Sequence, residues 1–247
     1  MTITAPAPSV GATLDAAHAA HRRTARIAGI WFVVTFVSIA ALPLYDSILN
    51  ETDFIVGASG DTSVQLGAVA EILTAIAGIA TAVTLFPILR RQSESLALGY
   101  VALRIVESAL ITIGIVSLLA LVTLRQDLAG GGTDSASLIL SGQSLVAVHD
   151  ATFLLGPAFC AAIGNGLMLG YLMFRSGLVP RRFAQFGMLA GSFALLTAVL
   201  VLFGAYEQVS GASALLTLPE AVWELSLGIY LIVRGFRPDA RVLADAR

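Results

Sequence analysis

Leu96-Ala-Leu-Gly-Tyr-Val-Ala-Leu-Arg-Ile-Val-Glu-Ser-Ala-Leu-Ile-Thr-Ile-Gly-Ile-Val-Ser-Leu-Leu-Ala-Leu-Val-Thr-Leu124 is apolar almost throughout, with Arg104 and Glu107 inside it. A helix of that length, at about 1.5 Å per residue, outspans a hydrocarbon core of roughly 30 Å. The guanidinium of Arg104 cannot shed its proton there. It needs a carboxylate, water or backbone carbonyls at membrane depth. Other apolar stretches of the chain supply carboxylates, which makes this segment the axis of a polar centre.

Composition agrees with a membrane origin. Hydrophobic residues make up 57% of the chain and charged ones 12%, and mean hydropathy is +0.88. A soluble domain carries about twice that share of charge. A chain of 247 residues suits one compact bundle. A net charge of −2 without a basic cluster gives no nucleic-acid interface. Cys160 is the single cysteine, so no intrachain disulfide can form, and it reads as a small buried apolar residue.

Working outward, the apolar runs predict six spans, at residues 27–44, 65–89, 96–124, 145–174, 183–206 and 212–233. The sequence therefore predicts an all-α, polytopic six-helix transmembrane domain over residues 25–235. Residues 1–24 read as a disordered cytoplasmic tail, rich in Ala, Thr and Pro and lacking the apolar core of a signal peptide. Residues 236–247 read as a second cytoplasmic tail. All fourteen basic residues are arginines. With the N-terminus inside, only Arg104, within a span, and Arg125, outside, are not cytoplasmic. The outer connections hold Asp46, Glu51, Asp53, Asp61, Asp127, Asp134 and Glu207 instead. That asymmetry predicts a multi-pass protein with both termini in the cytoplasm.

Packing signals are less specific. Gly166-x-x-x-Gly170 and Gly187-x-x-x-Gly191 allow helix backbones to approach closely, within one chain or across a homodimer. Pro157 and Pro219 fall inside the fourth and sixth spans and predict kinks there.

Four segments carry a resemblance. Arg26-Ile-Ala-Gly-Ile-Trp-Phe, residues 98–107 with their Arg-x-x-Glu, Gly170-Tyr-Leu-Met-Phe-Arg-Ser-Gly-Leu-Val-Pro-Arg181 and Glu224-Leu-Ser-Leu-Gly-Ile-Tyr-Leu-Ile-Val-Arg-Gly235 resemble the bacterial integral membrane family of domain of unknown function 4386. The likeness runs from Arg26 to Gly235. It implies a multi-span membrane protein and no established activity, so it transfers no functional residue.

The polar positions must be read physically. Counted from the cytoplasmic ends at 1.5 Å per residue, Arg104 and Glu224 lie roughly 14 Å deep, Glu107 about 17 Å, Glu220 about 20 Å and Glu71 about 27 Å. His149 and Asp150 come near the outer mouth. Glu71, Thr74, Gly78 and Thr81 share one stripe of the second span, and Glu220, Glu224 and Gly228 share one of the sixth. An ionised residue at a helix centre costs about 2.5–3.5 kcal/mol even on the lenient insertion scale, so these side chains face one another or a polar cavity. A purely structural reading makes Arg104, Glu107 and Glu224 an ion-pair network that fixes helix register, with Arg104 and Glu224 paired by their equal depth. One arginine cannot also neutralise Glu71, Glu220 and Asp150. That excess of acid is what proton coupling or cation binding would use.

Three function classes follow. The first is a small transporter or carrier whose acidic cavity opens to the outer side and takes a cation or proton. The second is a non-catalytic regulatory or sensory partner in the membrane. The third is an intramembrane lipid-modifying enzyme. A histidine zinc site fails on counting, since only His149 lies in a span, and a mixed site from His149, Asp150, Glu71 and Glu220 has no diagnostic spacing. Gly57-Ala58-Ser59-Gly60 reads as a turn rather than a serine-protease motif. No catalytic, cofactor or metal residue is assigned by the sequence. The partners it predicts are the lipid bilayer and a cation or proton, with no nucleic acid.

Overall fold

A computed structural model of the chain describes residues 10–50, 54, 60–129 and 135–244. These residues form helices and turns, with no strand among them. The first span is α1 (Val10–Thr35), continued by a short α2 (Val37–Ala41), a 3₁₀ turn at Leu42–Tyr45 and α3 (Asp46–Asn50). Next come α4 (Asp61–Leu89) and α5 (Glu94–Ala129). The fourth span starts as α6 (Ser135–Phe153), widens into π-helical winding over Leu154–Cys160 and Ala162–Leu169, and ends as α7 (Gly170–Ser176). The chain closes with α8 (Arg181–Leu202), α9 (Gly211–Val233) and a short α10 (Arg241–Ala244).

Among the described residues six helical stretches are long and apolar enough to cross a membrane: Ala16–Tyr45, Asp61–Leu89, Glu94–Leu128, Ala136–Ser176, Arg181–Leu202 and Gly211–Val233. Each contains most of one span expected from the sequence. Their outward faces carry Leu66, Ile76, Leu98, Val116, Leu189 and Ile229, all at least half exposed. Such a surface suits acyl chains and not water. The first helix reaches back to Val10, well into the stretch read as a tail. Residues 57–59 of the Gly-Ala-Ser-Gly turn lie outside the described residues. Gly60, just before α4, has φ 126°, a left-handed backbone that glycine holds without strain.

The spans form a closed ring. α4 packs between α1 and α5, α5 against the fourth span, the fourth span against α8, and α8 against α9, which returns to α1. Two backbone-close crossings tighten it. A Cβ on Gly29 of α1 would stand 2.5 Å from the Gly228 carbonyl oxygen of α9, and one on Gly166 would overlap the Cα of Gly191 on α8. Gly187 makes room for the indole of Trp223, whose Nε1 donates to the Phe183 carbonyl at 3.1 Å. Gly170 lies against Met188 and Ala184 of α8. The small residues of the two Gly-x-x-x-Gly motifs are thus filled by this chain's own helices.

Two apolar cores plug the ring at different levels. One, at the arginine-bearing end, holds Phe32, Leu85, Tyr100, Leu169, Met173, Trp223 and Leu227, all fully buried. The other gathers Tyr45, Ile48, Phe54, Val64, Leu118 and Leu121 at the opposite end. There Arg125 lies 2.8 Å from Asp61 and over the Phe54 ring, and ties the start of α4 to the end of α5.

Backbone irregularity departs from the expected kinks. Pro157 does not simply bend an α-helix; the winding relaxes to π over two turns around it. A π turn moves the carbonyl that the pyrrolidine ring would strike and needs no N–H at the proline. α9 stays helical on both sides of Pro219. A break falls also in the first span, at Phe36, where the amides of Phe36 and Ile39 bond three residues back. The Thr35 carbonyl is thereby freed to accept from the hydroxyls of Ser38, at 3.0 Å, and Thr74, at 3.2 Å.

Candidate functional site

Between the two plugs lies a cavity of about 270 Å³, to which all six spans contribute. Its polar wall is made by Glu71 and Thr74 of α4, Arg104 and Glu107 of α5, and Thr217, Glu220 and Glu224 of α9. Thr35 and Ser38 at the break of the first span, Pro157 and Ala161 of the fourth, and Ala194 of α8 also line the cavity. Five of the seven residues singled out from sequence therefore meet around one space. His149 and Asp150 do not line it.

The arginine is satisfied on its own helix. Arg104 Nη1 lies 2.6 Å from Glu107 Oε2, one turn along α5, and Nε donates to the Gly78 carbonyl at 3.4 Å. The guanidinium lies over Gly78, where a Cβ would come within 2.8 Å of Nη2. Both partners are buried, at 3% and 7% exposure. The pairing of Arg104 with Glu224 expected from depth is corrected: no ion pair within 4.0 Å joins them. Depth ranks residues along the membrane normal, whereas an i,i+3 neighbour shares both depth and face.

Each remaining acid meets a different fate. Tyr45 donates its phenol to Glu71 Oε2 at 2.9 Å, its ring flat against Gly67. Asn165, on the π-wound segment, donates its amide to Glu224 Oε1 at 2.6 Å. Glu220 is different. It is 6% exposed, and neither of its oxygens has a hydrogen-bond partner among the described residues. Its carboxylate lies over Gly166, where a Cβ would stand 2.8 and 2.9 Å from the two oxygens. The Oδ1 of the adjacent Asn165 is likewise buried without a partner.

Glu220 and Glu224 stand one helical turn apart on α9, with Asn165 Oδ1 beside them. This is a cluster of acceptors short of donors. Two carboxylates so close in a buried site are costly unless a proton or a cation offsets them. Arg104 pairs with Glu107, and one guanidinium cannot also balance both acids of α9. Among the described residues no group of three or more His, Cys, Asp and Glu side chains is arranged to hold a metal ion.

His149 sits beside the site rather than in its wall. It is 6% exposed, edge-on to Tyr45 at 6.1 Å between ring centroids and stacked on Phe153 at 6.3 Å. Asp150 is its neighbour, 3.5 Å from Nδ1, with its side chain mostly exposed. His149 thus holds the tyrosine that holds Glu71. Both neutral donors to the cavity acids escape the sequence reading: Asn165 and Tyr45. Asn165 had a signal, an amide between two glycines inside an apolar span. Tyr45 had only its place after Pro43.

Neither the curated proteins nor the solved structures include a match to this chain. The profile of one family, described as a domain of unknown function (DUF4386), matches residues 27–235. That match covers all six spans and the whole polar cavity, and the chain belongs to the DUF4386 family.

Proposed function

We propose that the protein is a small carrier whose central cavity binds a cation, either a proton or an ammonium group, at Glu220 with Glu224 and Asn165 beside it. The observation that carries this reading is the Glu220 carboxylate, buried at the cavity wall with both oxygens unpartnered. A scaffold residue at that depth would have its partner, as Glu107, Glu71 and Glu224 have theirs. Two irregular stretches flank the site: the break at Phe36 and the π-wound fourth span. Discontinuous helices that free backbone at mid-membrane are the usual frame of a carrier site. The way in runs beside α2. Beyond the break α2 packs on α4 while α1 stays locked to α9, and Ile39 and Leu42 both line the cavity and stand half-exposed. On this reading the arginine-rich end faces the cytoplasm of a bacterial cell and the cavity serves the outer half of the bilayer.

Glu220→Gln tests the proposal, because it keeps size while removing charge. The parent in detergent should gain thermal stability with butylammonium chloride, or vesicles holding it should pass protons that a pH-sensitive dye reports. Glu220→Gln should fold with an unchanged baseline midpoint and lose that response. If the Gln variant fails to insert, and the parent shows no dependence on ammonium or pH, the carrier reading is wrong and the acid is part of the scaffold.

A further inference from the structure

A second cavity, of about 380 Å³, lies at the arginine-bearing end of the bundle and is lined by Gln92, Phe174, Arg175, Arg181 and Arg241. Four separate segments build it: the α4–α5 turn, α7, the start of α8, and α10. Two of the three arginines rest on aromatic rings. Arg175 lies over the Tyr171 ring at 5.9 Å and Arg181 over the Phe174 ring at 5.7 Å. Arg241 arrives on the C-terminal segment, which is folded onto the bundle. There the Arg237 amide donates to the Leu178 carbonyl at 2.9 Å, and Phe236, Val242 and Leu243 are buried in the core at the arginine-bearing end.

None of the three arginines makes an ion pair with a described residue. Asp239, the described acid closest in sequence to Arg241, is taken by Arg237, whose Nε and Nη2 donate to its two oxygens at 3.1 and 2.5 Å. That fork holds the Asp239 carboxyl below its ordinary range. Glu94, two residues after Gln92, is exposed and unpaired. Three exposed guanidinium groups around one space repel one another, and an anion among them relieves that repulsion. Each offers a planar fork of donors that matches the oxygens of a phosphate.

We propose that Arg175, Arg181, Arg241 and Gln92 form a phosphate-binding site, filled by the phosphate of an anionic phospholipid headgroup or by free phosphate. The lipid is the better fit to the surroundings. The pocket lies at the ends of membrane spans, and α8 exposes Phe186, Leu189 and Phe193 beyond Arg181, where acyl chains would run. Basic pockets between spans at the cytoplasmic interface are where anionic headgroups bind.

The test uses the full chain in detergent, with thermal midpoint and native mass spectrometry as readouts. The added compounds are dioleoylphosphatidylglycerol, dioleoylphosphatidylcholine and inorganic phosphate. For a headgroup site, phosphatidylglycerol raises the midpoint and stays bound, while phosphatidylcholine and millimolar phosphate do neither. For a free-phosphate site, inorganic phosphate raises the midpoint and the two lipids are equal. In either case Arg175→Gln, Arg181→Gln and Arg241→Gln should each weaken binding about fivefold, and all three together about a hundredfold. Arg90→Gln, at the same end but outside the pocket, should leave it unchanged. Should a Gln variant fold poorly, the matching Lys variant keeps the charge, loses the fork and should still weaken binding. The proposal is overturned if neither phosphatidylglycerol nor phosphate binds, or if Arg90→Gln weakens binding as much as the pocket variants do.

Discussion

Removing the Arg104 side chain should unmask the cost of its partner, and that cost should depend on pH. At 2.6 Å, in an effective dielectric of about 20, the Arg104–Glu107 attraction is on the order of 6 kcal/mol, most of it offset by the desolvation of both groups. Arg104→Leu leaves a carboxylate at 7% exposure with no cation to face. Stranding one member of a buried pair costs about 3–5 kcal/mol. The loss has a ceiling, because the stranded acid can take up a proton. For a carboxyl with an ordinary pKa of about 4.3, that uptake costs about 4 kcal/mol at pH 7 and about 1 kcal/mol at pH 5. In the variant the folded state holds Glu107 neutral while the denatured state ionises it in water. Folding then takes up a proton, and stability must fall as pH rises above about 4.3. Equilibrium unfolding of parent and variant at both pH values is the assay. The variant should trail the parent by about 4 kcal/mol at pH 7 and by about 1 kcal/mol at pH 5. Arg104→Leu with Glu107→Leu should recover most of the deficit at both. Equal deficits at the two pH values, or a double variant as weak as the single one, would refute the reasoning.

Three further outcomes are expected. Gly166→Ala should destabilise by about 1–3 kcal/mol, because the new methyl meets the Gly191 backbone and the Glu220 carboxylate, whereas Gly211→Ala, with open space around it, should be neutral or better in the same thermal assay. Asn165→Ala removes the donor to Glu224 and should cost about 1.5–3 kcal/mol in equilibrium unfolding, the worth of a hydrogen bond to a charged group. In a Cys160→Ser background, a cysteine at Val209 should react with an impermeant maleimide from outside intact cells and one at Ser95 should not; the reverse pattern would invert the orientation.

The spans were legible because hydrocarbon imposes one requirement on every residue of a crossing segment, and a run of apolar side chains states it openly. Residues 96–124 could be nothing else, and α5 contains all of them. The membership of the cavity was legible for a related reason. Glu71, Arg104, Glu107, Glu220 and Glu224 are too costly to face lipid, so they had to meet. Who meets whom was not legible. Depth alone favoured Glu224 for Arg104, but the side chain turned to the acid already on its own face. The break at Phe36 was hidden because Val-Thr-Phe-Val-Ser reads as an ordinary membrane helix. What decides it is the Thr74 hydroxyl on a neighbouring span. The π winding around Pro157 was half-visible: the proline announced a departure but not its form.

The arrangement of partners narrows where function resides. Three of the four acids at the cavity are answered by groups of graded strength: a guanidinium for Glu107, a phenol for Glu71, an amide for Glu224. Each answering group is placed by an independent feature: Arg104 by its turn of α5, Tyr45 by the 3₁₀ turn, Asn165 by the π-wound segment. Glu220 has no such group, and the helix facing Gly166 beneath it, α8, crosses there at Gly191. The two glycines bring backbone against backbone and leave no side chain to reach the acid. The same close packing that makes the α8 crossing tight therefore keeps Glu220 unanswered.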